Sequence, residues 1–253
     1  MRDVTHAQAD AERVADLLTD ELRAVGTPER AAQEKRYLKS ELEFLGMSVW
    51  EIRRIVQAFL RGTEPLTRDR LVPLVEALWA VPIFERRMAA VALMELQPRL
   101  LGPADLPLVE RLIRESLTWA LVDGLAGDVV GGILAASPDA VTPVLDRWAA
   151  DPDFWIRRSS LLAELQRLRK GADLGPFLRR ADLMLDEKEF FIRKAIGWVL
   201  REVGKRRPAE VTAWLAPRTH RASGVTMREA VRYLPKEDAA RLTTAYREKR
   251  PAA

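Results

Sequence analysis

The chain contains no cysteine among its 253 residues. That excludes disulfides, thiolate zinc sites, iron–sulfur clusters and cysteine nucleophiles, and it fits a reducing compartment. Histidine is nearly absent too: His6 and His220 are the only two and lie far apart in sequence. A histidine metal site or a Ser-His-Asp triad is therefore poorly supplied, and neither a metal nor another cofactor is expected. No run approaches 18 consecutive apolar residues, so no membrane span is expected. The opening "MRDVTHAQADAERVADLL" carries acids throughout and lacks the apolar segment of a signal peptide. Charge of one sign is not in large excess: 41 Lys and Arg against 37 Asp and Glu leave a net +4, with a pI of about 9.6. That balance is compatible with a polyanionic partner such as nucleic acid without demanding one. Apolar residues make up 48% of the chain, enough to bury a core and to argue against disorder.

What is present is helical periodicity. Apolar residues recur at three- and four-residue steps in "AERVADLLTDELRAV" (11–25), "RLVPLVEALWAV" (70–81), "RRMAAVALMELQ" (86–97), "PLVERLIRESLTW" (107–119) and "PAEVTAWLA" (208–216). Breakers at 62–67, 101–107, 137–143 and 170–176 separate these runs. Nothing alternates in the manner of a strand over a useful length, so the class is all-α. "GDVVGGIL", with Gly127, Gly131 and Gly132, lacks the Gly-Lys-Ser/Thr ending of a phosphate loop and lies inside a helical pattern.

Three stretches share a pattern: "FERRMAA" from Phe84, "FWIRRSS" from Phe154 and "FFIRKAI" from Phe190. Each has an aromatic, an arginine three residues on (Arg87, Arg157, Arg193) and then a small residue. The first spacing is about twice 35, and one step of 35 beyond Phe84 falls on Trp119. A helix-pair unit of this length points to a helical-repeat solenoid, curved and with a basic concave face. The expected organisation is one domain over 1–253: an N-terminal helical cap at 1–30, repeats of about 35 residues through 84–235, and a C-terminal helix and tail at 236–253. Four residues after each aromatic stand Met88, Asp123, Arg158 and Lys194. Asp123 shares a helical face with Trp119 and occupies a rung that is basic in the next two repeats. The simpler reading is aromatic packing at Phe84 and Phe154, with Asp123 in an ordinary ion pair among arginines.

The chain resembles the AlkD family of bacterial DNA alkylation-repair glycosylases, which are built from HEAT-like repeats. "EFFIRKAIGWVLREVGK" (189–205) carries the most specific match. "RYLKSELEFLGM" (36–47), Trp119-x-x-x-Asp123, "WAADPDFWIRRSSLL" (148–162) and "MREAVRYL" (227–234) follow the family's order from about residue 30 to 235. The resemblance implies that Asp123 is the catalytic carboxylate, that Trp119, Trp198 and Tyr37 contact the lesion nucleotide, and that Arg158 holds the DNA backbone. Phe190 and Phe191 fall on an aromatic pair whose role is packing. Arg157, Arg193, Lys194 and Arg201 are further expected backbone contacts. The chain departs from the family at Thr118, at Ala120 and across 218–224.

That family releases N3- and N7-alkylated purines from duplex DNA. A cationic base leaves without protonation, so no histidine is required. A carboxylate is wanted where positive charge develops on the sugar, and aromatic faces favour the cation. The implied partner is duplex DNA containing alkylated purines. A monomer in the bacterial cytoplasm is expected, since one lesion needs one groove. The alternatives are a self-resistance glycosylase for a bulky natural-product adduct, a non-catalytic DNA-binding repeat protein, and a protein-binding scaffold.

Overall fold

A computed structural model describes the backbone of residues 2–248 and the side chains of residues 8–248. His6 and the last residues of the expected tail lie outside these side chains. Among the described residues there is no strand; one isolated parallel bridge joins Glu43 and Ile83. The chain divides into two compact units, Met1–Ile133 and Leu134–Ala253.

The first unit contains α1 (Arg2–Val25), α2 (Pro28–Leu38), α3 (Val49–Gly62), α4 (Arg68–Ala80), α5 (Phe84–Leu96), α6 (Leu106–Glu115) and α7 (Trp119–Gly124). A π turn, Leu125–Val130, follows α7 and leads into α8 (Gly131–Ala136), within which the division falls. The hub is α5, whose residues from Phe84 to Met94 are all buried, Glu85, Arg86 and Arg87 included. It packs on α3, α4 and α7. Arg86 ties three helices together by donating to Asp16 Oδ1 (2.9 Å), Thr19 Oγ1 (3.0 Å) and the Ala77 carbonyl (3.0 Å). Such bonds are what make a buried guanidinium tolerable. Start signals are strong where the chain turns: Ser48 and Glu51 form a reciprocal capping box on α3, and Thr27 caps α2 ahead of Pro28.

The second unit contains α9 (Pro138–Trp148), α10 (Phe154–Leu162), α11 (Leu165–Arg169), α12 (Gly175–Leu183), α13 (Phe190–Gly204), α14 (Pro208–Leu215), α15 (Gly224–Ala230) and α16 (Lys236–Glu248). Its core helix is α13, packed on α10, α14 and α15. Gly197 permits the close approach to α15: a Cβ there would meet Glu229 Cβ at 2.7 Å and the Thr226 carbonyl at 3.0 Å. The expected breaker at 137–143 is not a loop. Only Ser137 interrupts, because Pro138 opens α9, where its missing N–H costs nothing.

The repeat of about 35 residues is written in the side-chain bonds. In the first unit Arg68–Asp105, Arg111–Glu76 and Trp79–Glu115 join residues 35 to 37 apart. In the second, Arg180–Asp146, Arg218–Asp182 and Arg221–Asp186 join residues 34 to 36 apart. Each unit is thus stitched neighbour to neighbour, as a helical repeat requires. The aromatic ladder is graded: Phe84 is buried, Trp119 and Phe154 are half-buried, and Phe190 is exposed.

Trp119–Ala136 forms a single 18-residue helical run with mean hydropathy 1.5, which by length and composition could cross a membrane. Half of it is buried inside this chain, packed on α5 and α6, and it carries Asp123 and Asp128. Through Ile133 it belongs to the core of the first unit, and its last three residues fall in the second.

Candidate functional site

Tyr37 sits at the end of α2, and the chain around it is tightly determined. Lys39 closes the helix in the left-handed region, φ 49°, with its N–H on the Lys35 carbonyl. The following loop is held by Glu85, a fully buried carboxylate that accepts from the backbone N–H groups of Leu45 (2.8 Å), Gly46 (2.7 Å) and Met47 (3.2 Å). Gly46 has φ +87°, and a Cβ there would stand 2.0 Å from the Thr27 carbonyl oxygen. The Phe-Leu-Gly of the sequence motif is therefore the anchor that sets the end of α2. Tyr37 remains 70% exposed, and its ring meets Trp119 edge-on at 5.9 Å and 85°.

Trp119 begins α7 directly after a strained turn. Leu117 has φ +53° and is exposed, a conformation that costs a non-glycine residue about 1–2 kcal/mol. The Thr118 hydroxyl is buried and unbonded among the described residues. Backbone strain of this kind clusters at ligand sites. The π turn that follows α7 is likewise a feature found mostly at functional positions.

These elements enclose a cavity of about 270 Å³, at the small end of ligand sites. Its apolar wall is Tyr37, Phe84, Met88, Val91 and Trp119; its polar groups are Glu34, Arg53, Glu95 and Asp128. Arg53 is paired with Glu95. Burial pushes the Glu34 carboxyl above its ordinary range; the Arg30 hydrogen bond opposes this, and the charges of Glu85 and Glu51 add to it. Aromatic faces and carboxylates thus share one small space, with Glu34 paired to Arg30 and Glu95 to Arg53. Asp123 is half-buried one turn after Trp119 but does not line this cavity.

Glu34, Glu95 and Asp128 were not legible as site residues. Glu34 precedes Tyr37 by three residues, a spacing shared by many surface pairs. Asp128 is nine residues from Trp119, about two and a half turns at 3.6 residues per turn, which in a regular helix is the opposite face. The π turn holds one more residue per turn and brings both to the same cavity.

In the second unit Arg158 is 3% exposed. It donates to the Phe191 carbonyl at 2.6 Å, and its guanidinium lies 5.8 Å from the Phe191 ring. That ring belongs to a cluster with Phe154 and Trp155, centroids 4.8–6.2 Å away, so Phe191 packs as expected. Phe190 is 53% exposed and edge-on to it. Arg157 makes two 2.9 Å bonds to Glu187 and two more to the Asp151 and Pro152 carbonyls. Arg193 donates to the Glu187 carbonyl at 2.6 Å. Lys194 and Arg201 converge on Glu229. Burial acts most strongly on Glu229 and would raise its pKa, yet the Lys194 hydrogen bond and the Arg201 and Lys194 charges together hold it below the ordinary carboxylate range. Trp198, half-buried, lies on α13 between Lys194 and Arg201. Each of these cations is thus engaged within its own unit. The structure brings Tyr37 and Trp119 together in the first unit, and Lys194 and Arg201 together in the second.

The units also differ in charge. The first holds 17 Lys and Arg against 21 Asp and Glu, the second 24 against 16. Among the described residues no three His, Asp or Glu side chains gather as a metal site.

A family model described as DNA alkylation repair enzyme matches residues 18–234. No curated protein matches the sequence. Among solved structures, a predicted DNA alkylation repair enzyme from Enterococcus faecalis superposes with a TM-score of 0.76 at 23% identity, covering 83% of this chain and 97% of that one. AlkD2 from Streptococcus mutans gives 0.52 at 14% identity, covering 88% and 99%. Smu.31 from Streptococcus mutans UA159 gives 0.50 at 14%, covering 78% and 90%. At these identities the likeness is one of fold, the all-α repeat.

Proposed function

Because the chain belongs to the DNA alkylation repair enzyme family, we propose that it is a monofunctional DNA glycosylase acting on cationic N3- and N7-alkylated purines in duplex DNA. The observation that carries this reading is the edge-on Tyr37–Trp119 pair in a cavity that also presents Glu34 and Asp128. A flat cation is the ligand such walls favour, and Trp119 opens the helix that bears Asp123.

In the proposed reaction the C1′–N bond breaks and its electron pair moves onto the cationic base, which leaves neutral. Asp123 stabilises the positive charge developing on the deoxyribose and orients a water. The water oxygen bonds to C1′, and its proton leaves through the carboxylate to solvent. The products are the free alkylated base and an abasic site. Trp119 and Tyr37 attract the cationic nucleotide, by roughly 0.5–2 kcal/mol each, and Trp198 is assigned the remaining aromatic contact. Arg158 is assigned to the DNA backbone near the lesion. Arg157, Arg193, Lys194 and Arg201 contribute to the basic character of their unit while holding it together. The protein is taken to act as a monomer, without a cofactor, in the cytoplasm where bacterial DNA lies.

The test is release of 7-methylguanine and 3-methyladenine from methylated duplex DNA by the native protein and by Asp123→Asn. Release that falls by about 100- to 1,000-fold in the variant, the usual cost of one preorganised electrostatic group, with DNA binding kept, supports the assignment. Equal release by both proteins removes Asp123 from the reaction. No release by either, with DNA binding intact, favours the bulky-adduct or binding-only alternative, and the same assay on a large minor-groove adduct separates those two.

A further inference from the structure

We propose that α2 reads the damaged strand on two adjoining faces. Glu34, Tyr37 and Leu38 turn to the cavity, and Lys35, Arg36 and Lys39 line an open groove that takes the phosphodiester backbone. The inference rests on DNA being the substrate. The groove, about 560 Å³, is lined by Lys35, Arg36 and Lys39 with Ala32, Ser40 and Glu41. All three cations are exposed, and none makes a side-chain hydrogen bond or ion pair with a described residue.

Other cations of the first unit near this helix are spoken for: Arg30 holds Glu34, Arg53 holds Glu95, and Arg86 holds Asp16. Within a unit where acids outnumber bases, three adjacent unneutralised cations in a concavity concentrate a positive field at one place. Basic residues in the last turn of a helix also offset its dipole, which would account for Lys35 and Arg36. It does not account for Lys39, which lies beyond the helix in the left-handed region and still lines the groove. The alkylated nucleotide is itself a cationic base joined to an anionic phosphate. One helix that offers carboxylate and aromatic on one side, and cations on the next, matches both charges. Phosphate contacts carry no sequence information but set register on the duplex; here they would place the lesion beside Tyr37.

The test measures binding of a fluorescent, undamaged DNA duplex across a salt series, so that it does not depend on catalysis. The proteins are wild type, Lys35→Gln/Lys39→Gln, and a charge-matched control, Arg61→Gln/Arg99→Gln, at exposed positions of the same unit. Circular dichroism checks folding of each. The expected result is that the slope of log affinity on log salt shrinks by about 2 in the first variant, close to 0.9 for each lost phosphate contact, and is unchanged in the control. An unchanged slope in Lys35→Gln/Lys39→Gln while wild type binds DNA overturns the groove and leaves the proposed function standing. An equal loss in the control shows a general charge effect and also overturns it. Failure of wild type to bind any duplex overturns the DNA reading and the groove with it.

Discussion

Trp119 and Asp123 are four residues apart, and in a helix that spacing alone puts them on one face. Helical spacing thus leads one to expect them together before any coordinates; in the structure Trp119 lines the cavity and Asp123 does not. The role of the repeating arginines was not legible from spacing. Arg157 and Arg193 recur at a fixed position in each unit of the repeat, which reads equally as a phosphate-binding row. In the structure both donate to main-chain carbonyls of the turn preceding their own helix, and Arg87 likewise donates to a carbonyl, that of Trp79 in the last turn of α4, at 3.2 Å. A guanidinium fork satisfies a carbonyl as well as a phosphate, so sequence cannot separate the two. At this scale pH dependence is also set. The Arg218 hydrogen bond, together with the charges of Arg218 and Arg221, holds Asp182 below its ordinary pKa against a smaller opposing effect of burial. The stability contributed by its ionised form is thus present above the unfolded value of about 3.9 and is lost as pH falls through the lowered folded value. Asp182→Asn is expected to melt lower than wild type at pH 7, with the difference shrinking as pH drops below 4. A difference independent of pH would mean that charge at Asp182 is not what stabilises the pair.

The element that matters most is the loop between α2 and α3. Its composition, with Ser40, Gly46 and Ser48, marks a turn. Nothing local reveals that a buried carboxylate on α5, some 40 residues on, accepts three of its N–H groups. Gly46→Ala is expected to destabilise the protein by about 1–3 kcal/mol for the positive φ, with a further penalty from the clash at Thr27. Activity should fall along with stability, because Tyr37 depends on this loop for its placement. Thermal melting read beside base release checks this; a variant with native Tm would remove the loop from the account. The π turn after α7 teaches the same lesson from the opposite side. An α period of 3.6 residues, extended through Gly131, puts Asp128 opposite Trp119, and the cavity contains both. One extra residue in a turn is invisible to a pattern that assumes none.

Across the whole molecule, bonds between residues about 35 apart recur in both units. Stability of this kind is a sum of neighbour contacts rather than one shared core. Charge is unevenly spread: the net +4 is the balance of an acidic first unit and a basic second one. In the proposed function the acidic unit holds the cavity for the cationic base, and the basic unit contributes most of the attraction for a polyanion. DNA binding is accordingly expected to weaken steeply between about 50 and 200 mM salt and to be nearly indifferent to sequence, since phosphate contacts dominate. Titrations of duplexes of unrelated sequence over that range test it. Flat salt dependence or strong sequence preference would argue for base-edge readout instead.

By itself the sequence determined the all-α class and the repeat length, because periodicity and spacing are local properties of the chain. It also carried the family, through motifs read in order from Tyr37 to Leu234. The tertiary structure alone decided which carboxylates share the aromatic cavity, and which cations are consumed in stitching the repeats together. It also decided which cations stay unneutralised beside Tyr37. Most of these depend on partners far along the chain, such as Glu229 for Arg201 or Asp16 for Arg86, and on one π turn, and a side chain's charge says nothing of what it will find across that distance.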